Sequence, residues 1–246
     1  LDSPSGGVTW NGDLGLQRTV TITNGNPFFP STYAGIISGS GDLRKTGAGE
    51  IALTNAANSF TGNLTITAGT LTLATGGALG NPVNTITLTG STSSLKIDTT
   101  LTISSTLAFS NTPIGINVTS GNELTATQAL SGGGSFYKYG TGIMTIAPGV
   151  DSGSRGGAIS GISGGTLRVQ GVKNLSNAGT ITLNGASGTI EFLRDSDTSF
   201  LHPVTANGTG TLHVDRAMGG SGTNGRHTLG ALGMNTGKLT ITGDHG

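Results

Sequence analysis

With 246 residues, 12 basic and 12 acidic side chains, the chain is neutral overall, which excludes a nucleic-acid binder, because phosphate contacts need a clustered positive face. It contains no cysteine, so its stability must come from backbone hydrogen bonds and packing, and no run of 18 apolar residues occurs, so no transmembrane segment is expected. Glycine supplies 45 residues and threonine about forty, while aromatic residues make up only 4%.

In chain order, Leu1 opens without an initiator Met or a charged-then-apolar leader, which reads as a piece of something longer. Residues Ile37 to Leu53, ISGSGDLRKTGAGEIAL, return 93 positions later as Leu130 to Ile146, LSGGGSFYKYGTGIMTI. GTLTL (Gly69 to Leu73) matches GTLRV (Gly165 to Val169), and NTITLTG (Asn84 to Gly90) matches GTITLNG (Gly179 to Gly185), closing a lap of about 95 residues. Related laps are expected at 37–129 and 130–200, with a divergent segment 201–246, all within one solenoid.

From Leu64 to Gly76, apolar residues alternate with Thr, the period of a strand with one buried face. Similar pairs occur at Ile86 and Leu88, Leu95 and Ile97, Leu101 and Ile103, Ile181 and Leu183, Ile190 and Phe192, Leu212 and Val214, and Leu239 and Ile241. No helical periodicity is sustained. Disorder is disfavoured because the glycines sit at strand ends, and a sandwich or barrel because the register recurs from lap to lap over small aliphatic residues. The expectation is an all-β parallel β-helix. Coils of roughly 20 residues would make about twelve coils and a rod of about 55 Å. Arg44 and Lys45 are expected in a solvated turn.

From Leu43 to Asn81 the elements run KTGAG turn, strand, N-x-[FY]-T-G loop, AGTLTL strand and GALG turn. In this order they resemble the autotransporter-associated β-strand repeat. A second, degenerate copy keeps Lys138, Gly140 and Gly142 and the strand Gly164 to Val169, but loses the N-x-[FY]-T-G element. Thr209 to Gly243 is similar to a companion segment often found beside such repeats. The resemblance implies a right-handed parallel β-helix in the passenger domain of a large bacterial surface protein, secreted unfolded through a narrow pore and displayed extracellularly. The repeat would serve as stalk, scaffold or adhesin and carries no known catalytic residue, so neither a catalytic residue, a metal nor a cofactor is expected.

Four residues merit attention as site candidates. Asp195 and Asp197, in EFLRDSDTSF with Glu191 and Arg194, form the densest charged cluster, but DSDTS also supplies turn chemistry through side-chain hydrogen bonds. His213 and Asp215, in HVD, are expected on one solvent-facing side opposite Leu212 and Val214, where a third ligand from a neighbouring coil would be needed to hold a metal. Gly219 to Gly225, GGSGTNG, has a single copy of a calcium-roll-like pattern without its Asp, and no G-x-S-x-G elbow is present. The expected function is a non-enzymatic structural or adhesive module with glycans or a cell surface as partner. A glycan-active lyase or hydrolase and a fibre subunit that self-associates end to end are the alternatives.

Overall fold

The computed structural model describes residues 2–3, 7–80, 84–110, 114–128, 130–148, 159–170, 180–185, 187–195, 198–200, 202–216 and 226–243. Twenty-nine strands and no helix are found among them. Every strand pair is parallel, and register partners lie 20 residues apart at the shortest (Thr32 and Ala52) and 29 at the longest (Gly210 and Leu239). Each turn of the chain therefore lays one strand beside its predecessor, which is a β-solenoid.

The coil has three faces. The first carries seven strands, from Asp2–Ser3 to Leu130–Ser131, and the second carries eleven, from Thr9–Trp10 to Leu232–Met234, while Thr198–Phe200 and His227–Leu229 pair as a separate two-stranded sheet. The third begins as the pair Leu14–Leu16 and Ile37–Gly39, and resumes as seven strands from Leu101–Ile103 to Leu239–Thr242. The eleven strands of the second face compare with the roughly twelve coils expected, because several coils take more than the assumed 20 residues. At about 4.8 Å per strand their stack is roughly 48 Å tall.

The long repeat crosses faces. Leu43–Thr46 lies on the first face, whereas its counterpart Phe136–Tyr139 lies on the second. Thr70–Leu73 and Thr166–Val169 are likewise on the second and third faces, and Thr85–Leu88 and Ile181–Leu183 on the first and second. A lap is thus four coils plus one face. The same corner chemistry is reused at a different edge of the prism.

Inward side chains stack coil upon coil. Leu43, Leu64, Ile86, Leu107 and Leu130 form one such column, each in register with the next and buried. The core is less purely aliphatic than its composition suggests. Phe109 stacks on Phe136 with centroids 5.0 Å apart, and Phe192 on Phe200 at 4.4 Å.

The corners explain the repeat motif. Lys45 is fully buried, contrary to the expected solvated turn, while Arg44 beside it is exposed. Alternation decides this: Leu43 points inward, and so does Lys45 two residues on. Its Nζ donates to the carbonyls of Gly47 (2.7 Å), Gly49 (2.5 Å) and Ala68 (2.9 Å), using all three ammonium donors. Gly69 follows with φ +66, and a Cβ there would lie 2.6 Å from the Lys45 amine, so KTGAG and AGT are two halves of one contact set. Lys138 repeats the arrangement with the carbonyls of Tyr139 (2.8 Å), Gly140 (2.8 Å) and Gly164 (3.1 Å). Asn58, of the N-x-[FY]-T-G loop, accepts from the Ile37 amide at 2.8 Å and donates to the Ala78 carbonyl at 3.0 Å, tying three successive coils.

Burial lowers the Lys45 amine to about 8, with Glu50 opposing, and burial lowers Lys138 to about 8. Between that value and the ordinary 10.5 the unfolded chain holds more protons than the folded one, so stability rises with pH in this window. Urea unfolding is expected to show this rise above pH 8, and a shallower one in Lys138→Met. At neutral pH, Lys138→Met is expected to cost about 2 kcal/mol or more, because three converging carbonyls lose their shared donor.

Candidate functional site

Outward side chains at one strand position fall beside the same position of the next coil, so polar residues form rows along the axis. On the third face one row runs Thr102, Thr125, Thr145, Arg168, Glu191, His213, Thr242. Arg168 is its centre. Its Nε donates to Glu191 Oε2 at 2.7 Å, and its Nη1 lies 3.5 Å from Glu123 Oε1, which also accepts from the Thr145 hydroxyl at 2.5 Å. Next along, His213 Nδ1 meets the Thr242 hydroxyl at 2.9 Å, and its Nε2 lies 3.7 Å from Asp215 Oδ2.

A shorter ladder occupies the second face. Glu50 Oε1 accepts from the Thr72 hydroxyl at 2.6 Å and from Lys96 Nζ at 3.2 Å, and Lys96 also pairs with Asp98 at 3.3 Å. Burial opposes the charge on Lys96, but Glu50 and Asp98 outweigh it and hold its pKa above the usual value. In both ladders the charges are compensated by neighbours on the same coil or one or two coils away.

Asp195 is an exposed bend residue after the strand Gly188–Leu193, and Asp197 lies outside the described residues. Glu191, of the same sequence cluster, is instead drawn into the ladder by Arg168. Arg194 donates from Nη1 to the Gln170 carbonyl at 3.3 Å, and from its amide to the Asp215 carbonyl at 3.0 Å. His213 and Asp215 do come together on the outward side of the strand, His213 in the row with Glu191 and Thr242. Asp215 is nevertheless buried on that side, while Val214, half-buried, packs against the core. Gly219 to Gly225 lies outside the described residues.

Acids elsewhere serve turns: Asp13 Oδ1 accepts from the Ile36 amide and Asp42 Oδ1 from the Asn63 amide, each at 2.8 Å. Among the described residues no three His, Asp or Glu side chains gather as a metal site would require. The ladders themselves were not anticipated. Single-chain alternation shows which residues face outward, but the pairing of Glu123 with Arg168, 45 positions on, depends on coil length.

Residues 43–73 match the passenger-associated-transport-repeat family. Over 156 residues, 62% of this chain, the sequence is 34% identical to the adhesin BmaC autotransporter of Brucella suis biovar 1 (strain 1330). The chain spans only 4% of that relative's length. No solved structure matches it.

Replacing Arg168 by Met leaves Glu123 and Glu191 without their shared cation. Arg168→Met is expected to lower stability by about 1 kcal/mol at low ionic strength, less in high salt, as read from paired urea titrations.

Proposed function

We propose that this chain, which carries an autotransporter passenger repeat, is a non-enzymatic adhesive or structural segment of a larger surface protein displayed outside the cell. The observation that carries this reading is the disposition of its outward polar groups. They bond to one another in rows along the axis, as in Glu123, Thr145, Arg168 and Glu191, where hydrolysis of a glycan would need free carboxylates converging across a groove. The relative's description as an adhesin supports the same reading.

The mechanism proposed is rigid presentation. A right-handed solenoid with coil-to-coil hydrogen bonds resists bending and carries regular hydroxyl and amide rows towards glycans or another cell surface, with weak contacts summed over many coils. The anchor, an outer-membrane β-barrel in the parent protein, is part of this proposal. So is docking along the axis: Leu232, Met234 and Ile241 are exposed apolar residues on the Leu232–Met234 and Leu239–Thr242 strands, where a further coil of the parent, or a second copy, would stack.

The purified chain is expected to be retained saturably on immobilised glycans or cultured cells, with no release of new reducing ends from a polysaccharide panel. Cleavage of any member would overturn the non-enzymatic reading.

A further inference from the structure

The two copies of the corner motif differ at the outward positions beside the buried lysine. Arg44 and Thr46 flank Lys45, but Tyr137 and Tyr139 flank Lys138. The corner does not require the aromatic residues, since Lys45 gathers its three carbonyls without them. The tyrosines stand on the second face with ring centroids 5.7 Å apart and planes tilted by 33°. Tyr139 is 39% exposed and Tyr137 half-buried.

Glycine lies in register with Tyr137 on both neighbouring coils, Gly115 before it and Gly161 after it. Both sit inside strands, Ile114–Val118 and Ile159–Ile162, and neither is among the glycines of positive φ. A mid-strand glycine weakens a strand and marks a place where something must approach closely. Here the first thing that approaches is the rings. A Cβ on Gly161 would stand 2.9 Å from the Tyr137 ring, and one on Gly115 would stand 3.5 Å from the Tyr139 ring and 2.9 Å from Ser94 Oγ. One ring leans over the following coil and the other towards the preceding coil, each low on the sheet.

Among the described residues the surroundings are polar and the nearby charge is paired. Asn117 is in register with Tyr139, and the Asn184 amide lies against Gly161. Lys96, next in that row, is already held by Glu50 and Asp98. A lipid surface would call for uncompensated basic residues, and an apolar peptide for an apolar rim. Aromatic faces ringed by amides and hydroxyls suit a sugar, whose axial C–H groups pack on a ring while its equatorial hydroxyls seek hydrogen bonds around the edge. The ring spacing is close to the advance per residue of an extended β-linked chain.

We infer that Tyr137 and Tyr139 form a stacking platform for a neutral polysaccharide with a β-linked backbone, the aromatic faces binding its pyranose rings and Asn117 and Asn184 its hydroxyls. This rests on the adhesive reading above and gives it a site.

The test is affinity electrophoresis of the full chain in gels containing hydroxyethylcellulose, xyloglucan or galactomannan, with dextran as the α-linked comparison. Retardation by at least one β-linked polymer and not by dextran is expected, together with a tyrosine difference-absorbance signal on titration. Tyr137→Ala with Tyr139→Ala should weaken retention by about tenfold or more, whereas Tyr137→Phe with Tyr139→Phe, which keeps the rings, should stay within about threefold. Substituting the other exposed aromatic pair, Phe28 and Phe29, by Ala should leave retention unchanged. No retardation of the wild-type chain, or equal retardation of the alanine variant, overturns the platform. Parallel cell-binding assays separate the two levels: cell binding that survives the alanine substitutions leaves the adhesive reading standing without this site, while a wild-type chain that binds neither cells nor polymers overturns both.

Discussion

The structure depends on the parallel hydrogen-bond ladder that joins each coil to the next. Parallel pairing requires the chain to return to the same edge after every turn, so each coil must close at the strand spacing whatever its length. Coils as different as those linking Thr32 to Ala52 and Gly210 to Leu239 meet that condition. Length variation is absorbed at corners, where the backbone leaves the ladder. The same constraint turns an inward leucine into a column of leucines and an outward charge into one rung of a ladder.

Corners are where the constraint is hardest to satisfy, because carbonyls that leave one sheet before entering another face the interior without partners. The chain meets this with side chains. Lys45 and Lys138 each gather three carbonyls, and Asn58 links the amide of one coil to the carbonyl of another. Asn24 does the same at a further corner, donating from Nδ2 to the Phe29 and Glu50 carbonyls at 2.9 Å each. The charge on the lysines is a cost of desolvation accepted for a donor that serves three acceptors. Of these residues Lys45 and Asn58 lie within the stretch that matches the passenger-associated-transport-repeat, and there their role is architectural.

Once inward positions belong to the columns and corners to the lysines and asparagines, function is left to the outward positions. Their freedom is visible where the two corner copies diverge: the buried lysine stays while Arg44 and Thr46 become Tyr137 and Tyr139. A solenoid thus separates its two tasks by strand parity, one set of alternate residues for stacking and the other for the surface. An adhesive surface in such a fold needs no dedicated domain.

The parallel-strand class was legible in the sequence because a period of two and a recurring motif are local properties, carried by stretches such as Leu64 to Gly76. The inward direction of Lys45 was legible too, since Leu43 two residues earlier fixes its side, although the charge argued for solvent. Which face a motif occupies was not, because that depends on the summed length of every preceding coil; the lap of 93 residues comes to rest one face further round. For the same reason the meeting of Glu123 with Arg168 and of Tyr137 with Gly161 was decided only by tertiary structure. The burial of Asp215 on the outward side of its strand had no sequence signal. Sequence alone determined what each residue does within its own coil; the register between coils, a sum over many turns, determined which residues act together.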